Sequence, residues 1–288
     1  MGAWARAAIA AGLVTLAGPA AVAHEPLWGE TPTIFGPHVF HPEVRFGFTR
    51  SDDTRSLEQE YGMQYGINRF VNVKLVVPAV RMTFDQETVA AQGESRVGGI
   101  GDALLSAKYR FHLRQETGVQ KSQAVIFGWK APTGDDHRDG PDGERLAPSD
   151  QPGSGRHGLE MGYSADHERL VDSSWFSAFY ARDLGGGFRR GDQVEVDAAY
   201  GRWVVRPNVA DDLGVNLALG LHAETAAQDR LEHGVGAGNR YRSAGLQLTP
   251  IVTRGQSQYR VGILVPFWKD GDKERAGVEI RAGWERFF

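Results

Sequence analysis

The sequence contains no cysteine, which excludes disulfide scaffolding, thiol nucleophiles and cysteine-ligated zinc in one step. Beyond residue 23 it also lacks any continuous apolar run of the roughly 20 residues that a membrane helix needs. A helical inner-membrane transporter is therefore excluded. Basic residues are not in surplus: 32 Lys and Arg stand against 36 Asp and Glu, so nothing electrostatic argues for a nucleic-acid partner. Catalytic signatures are missing too. None of the nine histidines is followed two residues later by serine, and neither Gly-x-Ser-x-Gly nor His-Glu-x-x-His occurs. The expectation is a protein without catalytic residues and without a cofactor.

What is present begins with an address. Arg6 supplies a positive start, Ala7 to Leu16 form a short apolar stretch, and Ala21-Val22-Ala23 fits the small-x-small rule for signal-peptidase cleavage. Residues 1–23 are thus expected to be a signal peptide. Residues 24–38 are expected to be a solvated periplasmic segment, and 39–288 the folded domain. Cleavage would leave His24 at the N-terminus, where its α-amine and imidazole could chelate a transition metal.

The rest of the chain alternates with a period of two. Ala103, Leu105, Ala107, Tyr109, Phe111 and Leu113 share one parity, opposite Asp102, Ser106, Lys108, Arg110 and His112. Leu213 to Glu224 and Ser257 to Phe267 repeat the pattern. Such alternation argues strand over helix, and segments of about 9–11 residues suit strands that cross a bilayer between lipid and lumen. Twelve segments qualify: 39–50, 58–69, 70–83, 101–114, 121–132, 157–167, 172–182, 193–206, 213–224, 241–252, 255–267 and 275–288. Their connections alternate between short and long, the longer ones including 84–100 and 133–156. Short periplasmic turns with longer extracellular loops are the habit of outer-membrane barrels. The fold class is therefore all-β: an antiparallel transmembrane β-barrel of about twelve strands, in the outer membrane of a Gram-negative cell and in contact with its lipid.

Three prolines, Pro78, Pro132 and Pro266, fall on the lumen parity towards the upper ends of upgoing strands, where a strand terminator at the rim is the expected role. In the last segment, Arg281, Gly283 and the terminal Phe288 resemble the C-terminal signal read by the barrel assembly machinery, with Arg286 as a departure from the pattern. Lumen-lining candidates by parity are Lys74, Asp102, Lys108, Arg110, Lys130, Glu160, Glu195, Asp197, His222, Glu224, Arg260, Glu279 and Arg281. Both charge signs are mixed, so strong ion selectivity is not indicated. The acidic loop from Asp135 to Glu144 does not fit a calcium-binding loop, because His137 stands at an oxygen-ligand position and Leu146 at the bidentate acid position.

Gly101-Asp102-Ala103-Leu104-Leu105-Ser106-Ala107-Lys108-Tyr109-Arg110-Phe111, followed by Gly128-Trp129-Lys130-Ala131-Pro132-Thr133-Gly134-Asp135, resembles transporters grouped as the MetA-pathway of phenol degradation family. The similarity runs from about Gly98 to the C-terminus. It implies an outer-membrane barrel that passes small molecules, including hydrophobic or aromatic compounds. For a barrel of about twelve strands the expected route is diffusion through a narrow polar lumen, gated by the loops near 84–100 and 133–156. The start of the mature chain, His24-Glu25-Pro26-Leu27-Trp28-Gly29, is similar to a subgroup associated with heavy-metal efflux. A non-conducting outer-membrane protein linked to periplasmic metal handling is therefore the alternative.

Overall fold

Alternating apolar and polar residues fold here into staves with one greasy and one polar face. The computed structural model describes residues 27–50, 54–84, 95–140, 145–146, 151–185, 190–207, 213–228, 230–231, 234–235, 240–271 and 277–286. Its first strands are β1 (Phe40–Arg50), β2 (Thr54–Asn68), β3 (Val71–Phe84), β4 (Ser95–Ile100) and β5 (Leu104–Glu116). There follow β6 (Val119–Lys130), β7 (Gly158–Arg169), β8 (Asp172–Asp183), β9 (Gln193–Val205) and β10 (Leu213–Ala226). A small hairpin of β11 (Arg230–Leu231) and β12 (Gly234–Val235) precedes β13 (Tyr241–Arg254), β14 (Ser257–Gly271) and β15 (Val278–Arg286).

Neighbouring strands pair antiparallel throughout. The circle closes: β2 pairs with both β1 and β3, and β1 pairs with β15 from Glu43 opposite Glu285 to Arg50 opposite Val278. Since β4 and β5 occupy one stave, the closed barrel has twelve. The expected signal peptide and the terminal Phe288 lie outside the described residues.

The outward face carries large apolar side chains, among them Leu105, Tyr109, Phe127, Trp129, Leu159, Met161, Leu219, Leu221, Leu248, Val261, Ile263 and Ile280. The enclosed side chains invert the habit of a water-soluble protein. Arg260, His41, Gln258, Glu285, Asn72, Asn216 and Asp197 are among the largest that are fully buried. In lipid the backbone must satisfy itself, which the closed ladder does, while polar side chains satisfy one another inside.

Two departures from strict alternation have local causes. Periodicity predicts one strand over 101–114 and a loop over 84–100; the structure instead breaks the stave at residues 101–103 and resumes it as β4. Pro78 lies opposite the break. Its carbonyl accepts the Gly101 N–H at 2.8 Å, and its missing N–H would have pointed to the same neighbour, so the ladder cannot run straight through. Pro78 thus interrupts the adjoining stave in mid-strand rather than terminating its own at the rim. The second departure is a bulge between Arg110 and His112. The extra residue, Phe111, shifts the phase by one, so His112 pairs with Gln123 and is exposed instead of facing the lumen as parity predicts.

Candidate functional site

Ahead of β1 the chain turns back into the barrel. The His38 N–H donates to the Gly66 carbonyl at 2.8 Å, and Phe35 packs against the His41 ring with centroids 4.3 Å apart. Higher in the bore, Lys108 and Lys74 both pair with Glu30, at 3.1 and 3.3 Å. Lys108 also donates to the Thr31 carbonyl at 2.7 Å. On the far wall Arg281 donates to the Leu27 carbonyl at 3.1 Å, and the Trp28 indole N–H donates to Glu279 at 3.2 Å. Leu27 and Trp28 are 1% and 0% exposed. These partners lie along the arc of staves from β15 through β1, β2 and β3 to β5. The Glu30 N–H donates to the Ser177 hydroxyl of β8 on the opposite wall at 3.4 Å, so the segment crosses the bore rather than lining one side.

Gly29 makes that crossing possible. Its φ is 74°, and a Cβ there would lie 3.0 Å from the Asp197 Cβ and still nearer to the Ser177 hydroxyl. A side chain at this position would meet both strain and a wall. The solvated periplasmic segment expected over 24–38 is thus corrected for residues 27–35, which lie inside the barrel. Leu27, Trp28 and Phe35 gain burial there, and Glu30 gains two lysines. His24 lies outside the described residues.

Charged groups in the lumen are sorted by height. Near the periplasmic side, Arg260 bonds Glu43 at 2.8 Å and Glu285 at 3.1 Å, His41 lies 3.4 Å from Glu285, and Lys74 lies 3.2 Å from Glu43. Arg45 joins the same group through Glu43. Towards the outside, Lys130 pairs with Asp183 and Arg281 with Glu279 at 2.5 Å. His222 meets Asp197 at 2.9 Å, Tyr241 donates to Glu224, and Glu195 and Glu160 line the bore. Arg110 is not brought into these groups: its guanidinium donates to the Arg69 carbonyl at the periplasmic turn, at 2.8 Å.

Two cavities of about 260 Å³ each lie around and above the crossing segment. Val76, Pro78, Leu104, Phe179 and Ala181 make an apolar strip in them, beside carboxylates from Glu58, Glu60, Glu160 and Glu195 and cations from Arg45, Lys74, Lys130 and Arg281.

Residues 43–249 match the model of the family described as "Putative MetA-pathway of phenol degradation". The chain belongs to this family. Among curated proteins none matches it. Its fold is similar to that of the COG4313 outer membrane channel from Pseudomonas putida F1, with 12% identity, a TM-score of 0.69, and coverage of 92% of this chain and 100% of that one. The β domain of the Bordetella autotransporter BrkA has 12% identity and a TM-score of 0.46, with coverage of 88% and 100%. At such identities the likeness concerns the fold alone. This member of the phenol-degradation family is a closed outer-membrane barrel.

Within this family member, Asp102 serves the extracellular loop at the break in the fourth stave. Its carboxylate accepts the N–H groups of Gly134 and Ser154, at 3.0 and 2.7 Å, and the Ser154 hydroxyl at 2.6 Å. Nearby, Asp135 accepts the Ile100 N–H at 3.1 Å. The Arg138 guanidinium, bonded to it at 2.7 Å, holds the Asp135 carboxyl below the usual carboxylate range. The loop is therefore pinned to the barrel rim. Asp102→Ala is expected to cost about 1.5–3 kcal/mol per charged hydrogen bond lost locally. It should free the loop, read as faster proteolysis within 133–156 while the barrel stays folded.

The parity rule passes over several residues that matter most here. Glu30, His41, Glu43, Glu58 and Glu60 are not among the thirteen charged candidates. His41, Glu43 and Arg45 do alternate inward along β1, and an unpartnered Trp28 in a supposedly solvated segment is itself a signal that something covers it.

Proposed function

We propose that this barrel is a channel for small molecules, held closed by its own N-terminal segment. The observation that carries the reading is the way residues 27–36 are held: by ion pairs, hydrogen bonds and packing, with no strand pairing to the barrel wall. Such a segment can leave without unfolding the ladder. Asp102 pins both ends of the loop over 133–156 through Gly134 and Ser154, so the segment takes the gating role assigned to the loops by sequence. Passage is passive, because the fold carries no energy-transducing element among its described residues.

The solute class follows from the cavities above the segment. An apolar strip facing carboxylates suits small amphiphilic solutes, with a flat apolar body and a hydrogen-bond donor such as a phenolic hydroxyl. The phenol-degradation family name supports that reading.

Flux decides the matter. Liposomes carrying the folded protein are expected to take up phenol-sized aromatics faster than protein-free liposomes, and faster than they take up sugars. If neither solute passes and planar bilayers show no current even after deletion of residues 27–36, the non-conducting alternative with a role in metal handling replaces the channel.

A further inference from the structure

On the inward faces of β9 and β10, the geometry points to a divalent transition-metal site formed by Glu195, Asp197 and His222. The register sets Asp197 directly opposite His222 and Glu195 opposite Glu224. The i, i+2 spacing turns both β9 acids to the lumen. His222 Nδ1 lies 2.9 Å from Asp197 Oδ1 and 4.0 Å from Glu195 Oε1. One ligand atom from each of the three residues falls within 4.8 Å of the others. Ligands of a tetrahedral zinc bound at about 2.0–2.1 Å stand about 3.4 Å apart, so small side-chain rotations would converge them on one ion.

Two observations argue for a ligand beyond a hydrogen-bonded pair. Asp197 is 0% exposed, and its Oδ2 has no hydrogen-bond partner among the described residues. A buried carboxylate oxygen left without a donor is costly. The charges nearby are also unbalanced. Glu195, Asp197 and Glu224 surround a single histidine, while Arg281 is bonded to Glu279 and to the Leu27 carbonyl. Anions gathered out of bulk water need a cation or protons to neutralise them.

Room and access are both present. Glu195, His222 and Glu224 border a cavity of about 130 Å³, shared with Ser243, Glu279 and Arg281, enough for an ion that keeps waters in its open positions. One imidazole with two carboxylates favours zinc, cobalt, nickel or copper over calcium and magnesium, which prefer oxygen alone. A metal at Nδ1 would replace the present bond to Asp197 and leave the carboxylate as a ligand. The site stands whether or not the lumen conducts.

The test is a Co²⁺ titration of the folded, full mature protein in detergent, read by visible absorption, with Zn²⁺ as competitor. Folding of every variant is checked by its heat-dependent gel shift. The expected result is one saturable equivalent, retained in His24→Ala and weakened at least about tenfold in both His222→Gln and Asp197→Asn. Glu195→Gln supplies the same reading should either inner substitution prevent folding, since Glu195 borders the open cavity. Absence of saturable binding overturns the site. So does binding unchanged in the β9 and β10 variants, or binding that disappears with His24→Ala alone.

Discussion

Deletion of residues 27–36 is expected to raise single-channel conductance in planar bilayers roughly tenfold, as a twelve-stranded bore changes from filled to open. The segment reaches β3, β5 and β15 through Lys74, Lys108 and Arg281 and the opposite stave β8 through Ser177, so its removal clears the width of the lumen. The sign of the accompanying selectivity change follows from charge. Glu30 pairs with Lys74 and Lys108, and without it that level of the bore turns more positive and should shift towards anions. Glu30→Ala tests the electrostatic half alone, with brief openings expected at unchanged full conductance. Gly29→Val tests the steric half, since a side chain at φ 74° against Ser177 and Asp197 cannot be seated. Equal conductance in the deletion and the parent protein would mean that the bore is closed elsewhere.

The staves were legible in the sequence because lipid and lumen impose opposite demands on alternate residues. That pressure acts on every crossing strand, so even the less regular segments at 39–50, 157–167 and 172–182 correspond to β1, β7 and β8. Phase is a more fragile inference than existence. One inserted residue, Phe111, reverses the face of His112, and nothing in its neighbours' polarity announces a bulge. The break at residues 101–103 was likewise hidden, because its cause, Pro78, sits on another strand and acts through the missing donor. The N-terminal segment has no period at all. Its placement rests on Glu30 meeting lysines 44 and 78 residues away, which no local pattern encodes. The proposed metal cluster lies between these cases: parity puts Glu195, Asp197 and His222 inward, but only the register sets the acid opposite the histidine.

Arg260→Ala is expected to lower barrel stability by about 3–5 kcal/mol, the scale for stranding a buried charge by removing its partner. The Arg260 side chain is 0% exposed and bridges Glu43 on β1 to Glu285 on β15 at 2.8 and 3.1 Å. Those two strands form the seam where the barrel closes, from Glu43 opposite Glu285 upward. With the guanidinium gone, two cross-strand carboxylates would face each other across that seam, with His41 3.4 Å from Glu285. Replacing the group as a unit should behave differently from breaking it. Arg260→Met with Glu285→Gln removes one charge of each sign, keeps side-chain bulk, and leaves Glu43 with Lys74 and Arg45. Most of the loss should then be recovered, because a buried ion pair contributes little over a well-packed neutral substitute. Urea unfolding in lipid vesicles gives both numbers. A loss below about 1 kcal/mol in Arg260→Ala would equate the bridge with an exposed surface pair, and the seam would then owe its closure to the backbone ladder alone.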